Sequence, residues 1–217
     1  MSKMRMSQKQ WNKLKLNQLL HIGAHRCEEA GFYDRAGVKR VLWVEANPAI
    51  IDEVIEEEAI TGHHKLIQGL VSDVGGKKVE FHIANNGESS SMLHFGTHRS
   101  RHKKVLWSGH IHLVTTTVDT ICHTHSIIPD VLCMDIQGAE LLALKGATAQ
   151  LTGPTLRHIY LEVNFEHLYR GCPLMDELTD FLAPHGFKQV SVFRTKHGWG
   201  DALYSRPNDY DPTRNVR

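Results

Sequence analysis

Asn17-Gln-Leu-Leu-His-Ile-Gly-Ala-His25 decides the fold. An apolar run from Leu19 to Ile22 stops at Gly23, as a buried parallel strand does when it ends in a tight turn. About two dozen residues on, Val41-Leu-Trp-Val-Glu-Ala-Asn-Pro48 repeats the form, with a carboxylate at its tip. In an open α/β sheet, ligands sit outside the carboxyl ends of the strands. A glycine turn lets a ligand approach the backbone, and an acidic residue on the next strand accepts hydrogen bonds from both hydroxyls of a ribose. The first half of the chain therefore reads as a nucleoside holder.

Outward from this stretch, residues 1–16 read as a basic arm or short helix and 17–205 as one domain. Helices are expected over Arg26–Ala36, Ala49–Ile60, Glu140–Gln150 and Pro173–His185. Further strands are expected over Lys65–Val71, Lys78–Ile83, 111–121, Val131–Ile136 and Arg157–Val163. Phe187–Phe193 and Gly200–Tyr204 read as a closing hairpin, and 206–217 as a fraying tail. Alternating strands and helices imply a parallel sheet covered on both faces. Residues 85–110 lose periodicity and read as one long functional loop.

Composition narrows the class. The 217 residues suffice for one α/β domain, and a net charge of +1 supplies no global field for nucleic acid or membrane. The apolar runs are strand-sized, and Met1-Ser-Lys-Met-Arg-Met-Ser7 leads into no apolar segment. A cytoplasmic protein is expected, with Cys27, Cys122, Cys133 and Cys172 as reduced thiols and no metal centre.

Three carboxylates, Glu45, Asp135 and Glu162, fall at the ends of three separate strands, and Asp73 follows a fourth. With the terminal hairpin this resembles the Rossmann-like class I fold of S-adenosylmethionine-dependent methyltransferases, a mostly parallel seven-stranded sheet. More narrowly, the chain resembles the FkbM methyltransferase family. The resemblance rests on His21-Ile-Gly-Ala-His25, Val44-Glu-Ala-Asn-Pro48, Leu70-Val-Ser-Asp73 and Asp135-Ile-Gln-Gly-Ala-Glu-Leu-Leu-Ala-Leu-Lys-Gly-Ala147. Weaker matches are Ser89–Leu93, Val118–Ile121, Leu161–Val163 with Tyr169, and Gly200–Tyr204.

The resemblance implies O-methyl transfer to a hydroxyl of a small acceptor, a sugar, glycoconjugate or natural product. By position it places Gly23 and Ala24 at the methionine part of the cofactor, with His21 where an acidic residue would hold the ammonium group and His25 as a contact of the cofactor loop or a plain turn residue. It puts Glu45 on the ribose, Ala46 and Asn47 beside the adenosine, Ser72 and Asp73 near the adenine, and Ser91 and Asp135 at the pocket. Two positions depart from the family pattern, His21 for Asp and Gln137 for Glu. They motivate a rival reading, a non-catalytic cofactor-binding module.

A hydroxyl acceptor needs a base within reach. Candidates are Asp135, His25, Glu162, His94 and His98. The His/Arg/Lys mixture of 94–112 reads as a grip on an anionic acceptor, a contact to RNA phosphates, a metal site or a solvated loop. An RNA or protein methyltransferase is the runner-up enzyme. A nicotinamide-linked dehydrogenase is disfavoured because residues 23–28 lack the spaced glycines of a dinucleotide fingerprint.

Overall fold

The computed structural model describes residues 6–207. Its strands are β1 Gln18–Ile22, β2 Arg40–Glu45, β3 His64–Gln68, β4 Leu70–Val71, β5 Lys78–Ala84, β6 Trp107–Thr116, β7 Val131–Met134, β8 His158–Asn164, β9 Lys188–Arg194 and β10 Trp199–Ser205. The helices are α1 Gln8–Leu14, α2 Ala30–Arg35, α3 Pro48–Glu56, α4 His98–Arg101, α5 Val118–Thr124, α6 Glu140–Lys145, α7 Thr148–Thr152 and α8 Met175–Leu182.

Seven strands form the main sheet in the order β3-β2-β1-β7-β8-β10-β9. The first five run parallel, and β10 is antiparallel to both neighbours. The expected α/β architecture with a C-terminal hairpin is therefore observed. Alternate residues of the central strands enter two separate cores. Leu20, Ile22, Leu42, Val44, Leu132 and Met134 face one. Leu19, Val41, Trp43, Val131 and Cys133 face the other, with Trp11, Tyr33 and Tyr160. Burial on both faces explains why these strands read as continuous apolar runs.

Local boundaries differ from the periodicity, each for a physical reason. Strand 65–71 is cut at Gly69, and β4 pairs instead with β6 in a second sheet of order β4-β6-β5. Strand 111–121 ends at Thr116, because Thr117 accepts the Thr120 N–H at 3.1 Å as an N-cap and starts α5. The helix expected from Arg26 starts only at Ala30, since His25 and Cys27 are left-handed at φ 46° and 55°. Helix α3 stops at Glu56, where three consecutive glutamates oppose the negative end of its dipole. Helix 140–150 breaks at Gly146, where a Cβ would stand 2.3 Å from the Ser72 carbonyl oxygen.

Residues 85–110 are not one loop. They contain α4 and the start of β6, and Gly96 and His98 donate backbone N–H to Leu168 O at 2.7 and 3.1 Å. Helix α1 realises the helical option for 1–16, closed by a Ser7–Gln10 capping box. Arg206 does not fray: its Nη2 donates to Leu151 O and Gly153 O. Residues 1–5 and 208–217 of the expected arm and tail lie outside the described residues. All four cysteines are free thiols, and all are buried.

The strand order reverses between β1 and β7, so the loops after these strands diverge and leave a crevice at the carboxyl edge.

Candidate active site

The crevice is built mainly by backbone. Gly23 and Ala24 donate N–H to Val44 O at 2.9 and 3.0 Å, and Asp135 donates its N–H to Ile22 O at 3.0 Å. Gly23 sits at φ +86°, and a Cβ there would fall 1.9 Å from the Asp135 carbonyl oxygen. Only glycine lets the two strand-end loops pass this closely.

Glu45, at the tip of β2, is buried. Its Oε2 accepts the His25 N–H at 2.9 Å and its Oε1 accepts the Asn47 N–H at 2.8 Å. Burial pushes its pKa up, and the N–H groups of Asn47 and His25 oppose that shift. Asn47 also caps α3, its Oδ1 accepting the Ala49 N–H. The carboxylate is thus held in one orientation with lone pairs to spare.

Beside it opens a cleft of about 600 Å³ whose lining includes Ile22, Gly23, His25, Glu45, Ala46, Leu70, Val71, Phe81, Met92 and Asp135. A second cavity of about 430 Å³, on the α2 side, includes His21, Ala24, His25, Asp135, Tyr160 and Glu162. A third of about 960 Å³ includes Ser89, His98, His102, Asp135, Gln137, Glu162, Trp199 and Asp201. Asp135 lines all three.

The structure brings Gly23, Ala24, His25, Glu45, Ala46 and Asp135 together. His25 Nδ1 meets Glu28 Oε1 at 2.8 Å and its Nε2 meets Arg26 at 3.0 Å. His21 is buried, stacked 4.8 Å from Trp43, with Tyr33 Oη 2.8 Å from its Nδ1. Ser91 is buried and acts as a strut, its Oγ donating to Gln137 O and accepting the Leu93 N–H. Ser72 donates its Oγ–H to Asp73 Oδ1, which holds that carboxyl below its ordinary pKa. Neither Ser72 nor Asp73 is among the residues lining the cleft.

His94 is not brought in. It is exposed, its ring tilted against His82 at 4.2 Å, and it lines a separate surface hollow with Arg99, Trp107 and Arg170. Two arginines near it are engaged within the protein. Arg101 pairs with Glu166 at 2.6 Å, and Arg99 donates to the carbonyls of Lys103 and Val105. His98 does line the third cavity, and burial lowers its pKa to about 4.

The only trio of metal-type ligand atoms within 4.8 Å among the described residues is Asp34, His63 and His64, at the other end of the sheet. Trp43 donates its indole N–H to His64 Nδ1 at 2.9 Å. That leaves the proton on Nε2, which faces Asp34 and closes the remaining ligand position.

Sequence reasoning missed Trp199 and Asp201. Asp201 stands opposite Glu162 in the β8–β10 register. Its signal was a carboxylate between Gly200 and Ala202 in an otherwise apolar closing strand. It also missed the contacts of Gln137, whose amide lies between Asp135, Glu162 and Tyr169.

The strand order, the glycine turn and the acidic strand tip together define the Rossmann-like methyltransferase class. The chain matches the methyltransferase FkbM domain over residues 21–189 and belongs to that family, whose methyl donor is S-adenosylmethionine. No curated protein sequence matches it. The Methanococcus jannaschii fibrillarin pre-rRNA processing protein has a similar fold, with a TM-score of 0.52 at 12% identity over 88% of this chain and 66% of that one. M. capricolum TrmK, solved with S-adenosylhomocysteine, gives a TM-score of 0.49 at 10% identity, covering 95% and 70% of the two chains.

The lining fits such a cofactor chemically: an oriented carboxylate on Glu45, apolar Leu70, Val71, Phe81 and Met92, and a second carboxyl group on Asp135.

Proposed function

We propose that the protein O-methylates a hydroxyl of a small acceptor, a sugar, glycoconjugate or natural product. The carrying observation is the Glu45 carboxylate, held by two backbone N–H groups beside the Gly23 turn, in a cleft that meets the third cavity at Asp135. Glu45 would bind the ribose hydroxyls, Ala46 and the Leu70–Val71 segment would flank the adenine, and Gly23–His25 would take the methionine part. S-adenosylmethionine supplies an electrophilic methyl group on a positive sulfur, which becomes a neutral thioether on transfer.

The chain's own work is placement and proton removal. The third cavity admits the acceptor so that its hydroxyl reaches Asp135. The Asp135 carboxylate accepts the hydroxyl proton as the oxygen–carbon bond forms. Alignment supplies much of the rate in such an in-line displacement. Trp199 offers an aromatic surface to a sugar, and Glu162, Asp201 and Asn86 offer hydrogen-bond groups.

Calorimetric titration with S-adenosylmethionine and S-adenosylhomocysteine tests the reading, beside Glu45→Ala. The expected result is micromolar binding, weakened roughly tenfold or more in the variant, as loss of a charge-assisted contact predicts. Binding unchanged in a folded variant removes the assignment.

A further inference from the structure

Gln137 occupies a backbone conformation that costs energy, at φ +55°. The segment after β7 nevertheless holds it there. Its carbonyl accepts the Ser91 hydroxyl at 2.9 Å. Its side-chain Oε1 lies 2.7 Å from the hydroxyl of buried Tyr169. Its Nε2 donates to Asp135 Oδ1 at 2.5 Å and points at Glu162 Oε1 and Oε2 at 3.3 and 3.4 Å.

One –NH₂ group therefore touches two carboxylates from two different strands, β7's following loop and β8. The orientation of the amide is dictated by charge. Turned over, its carbonyl oxygen would face both carboxylates, acceptor against acceptor. Two carboxylates this close without a donor between them cannot both ionise freely, and one takes up a proton. A carboxylic acid in place of Gln137 would bridge them only by carrying that proton itself. The amide bridges them with hydrogens that do not titrate at any working pH.

We propose that Gln137 is a positioning residue that keeps Asp135 and Glu162 ionised side by side, leaving Asp135 ready to take the acceptor's proton. This rests on the methyltransferase reading above. The groups facing the pair are Asp201 on β10, Glu88 and His25 on the cofactor side, His21, Glu28, Glu29 and Tyr160 around the second cavity, His98 and His102 across the third, Tyr169 at the amide itself, and Glu140 below on α6.

The test needs neither acceptor nor cofactor. Carboxyl carbons of Asp135 and Glu162 are followed by NMR against pH in protein labelled at Asp and Glu side chains, with Asp135→Asn and Glu162→Gln giving the assignments. Gln137→Glu preserves shape and Gln137→Ala removes the donor; thermal unfolding shows that each folds. In Gln137→Glu, at least one of the three carboxyl groups is expected to titrate a full pH unit or more above the wild-type pair. In Gln137→Ala, Asp135 or Glu162 rises by a similar amount. Titration of both groups within 0.3 unit of wild type in both folded variants overturns the proposal. Wild-type binding of S-adenosylhomocysteine, measured separately, decides the methyltransferase reading on its own.

Discussion

The cofactor cleft and the neighbouring third cavity share Asp135 and Gln137 but are built in opposite ways. The cleft is framed by backbone: the Gly23 turn, two N–H groups on Glu45, and the close passage of Gly23 against the Asp135 carbonyl. The cavity is made by side chains from five separated stretches, which reach it from β8, β10, α4 and the segments around Asn86 and Asp135. A backbone-built site resists side-chain exchange but not an added Cβ. A side-chain-built site can change its ligand while the sheet stays intact.

Variants should break that contrast in a graded order. Gly23→Ala should act most strongly, because it adds a Cβ 1.9 Å from the Asp135 carbonyl oxygen at a left-handed φ. A destabilisation of roughly 4 kcal/mol and loss of cofactor binding are expected. Wild-type melting and binding would show that the cleft is not held by backbone contact.

Glu140 comes next, since it pins the loop the two regions share. Its Oε1 accepts the N–H groups of Ile136 and Gly138 at 3.0 and 3.2 Å, and its Oε2 is buried without a hydrogen bond. Burial raises its pKa to about 7. Below about pH 4.5 the group is protonated in both folded and unfolded chains. Between there and pH 7 only the folded chain keeps the proton, so stability falls as pH rises and levels off above 7. The loss from this group is roughly 3 kcal/mol. Urea unfolding at pH 5 and pH 8 should show that slope in the wild type and lose it in Glu140→Gln. Equal slopes would mean the carboxyl is not protonated in the fold.

Glu45→Ala should weaken cofactor binding by roughly 1.5–3 kcal/mol while leaving the side-chain-built cavity intact. His94→Ala should do least, within about 0.5 kcal/mol in stability and twofold in cofactor affinity, because the ring lies outside both regions. A collapse of methyl transfer in His94→Ala would extend the acceptor region to the outer face of β6.

The legibility of each region follows the same division. Glu45, Gly23 and Ala46 were readable because strand, turn and carboxylate lie within one βαβ unit, where local pattern dictates position. Asp135 was readable as a carboxylate ending an apolar strand. Ser91 carried a family position but not its work as a strut under Gln137. His94 and His98 are four residues apart with similar local surroundings. One is exposed beside His82, and the other is buried against Phe95 at 4.6 Å with parallel rings. Nothing local in the sequence separates them.

By itself, the order of apolar runs, glycine turns and terminal carboxylates determined the parallel sheet, the closing hairpin and the place of the cleft. Those features follow from backbone geometry and burial, which act over a few residues. The tertiary structure alone decided that Arg101 would pair with Glu166 and that Gln137 would come between Asp135 and Glu162. Those outcomes depend on which side chains from distant strands meet at one edge, and on the cost of bringing like charges together there.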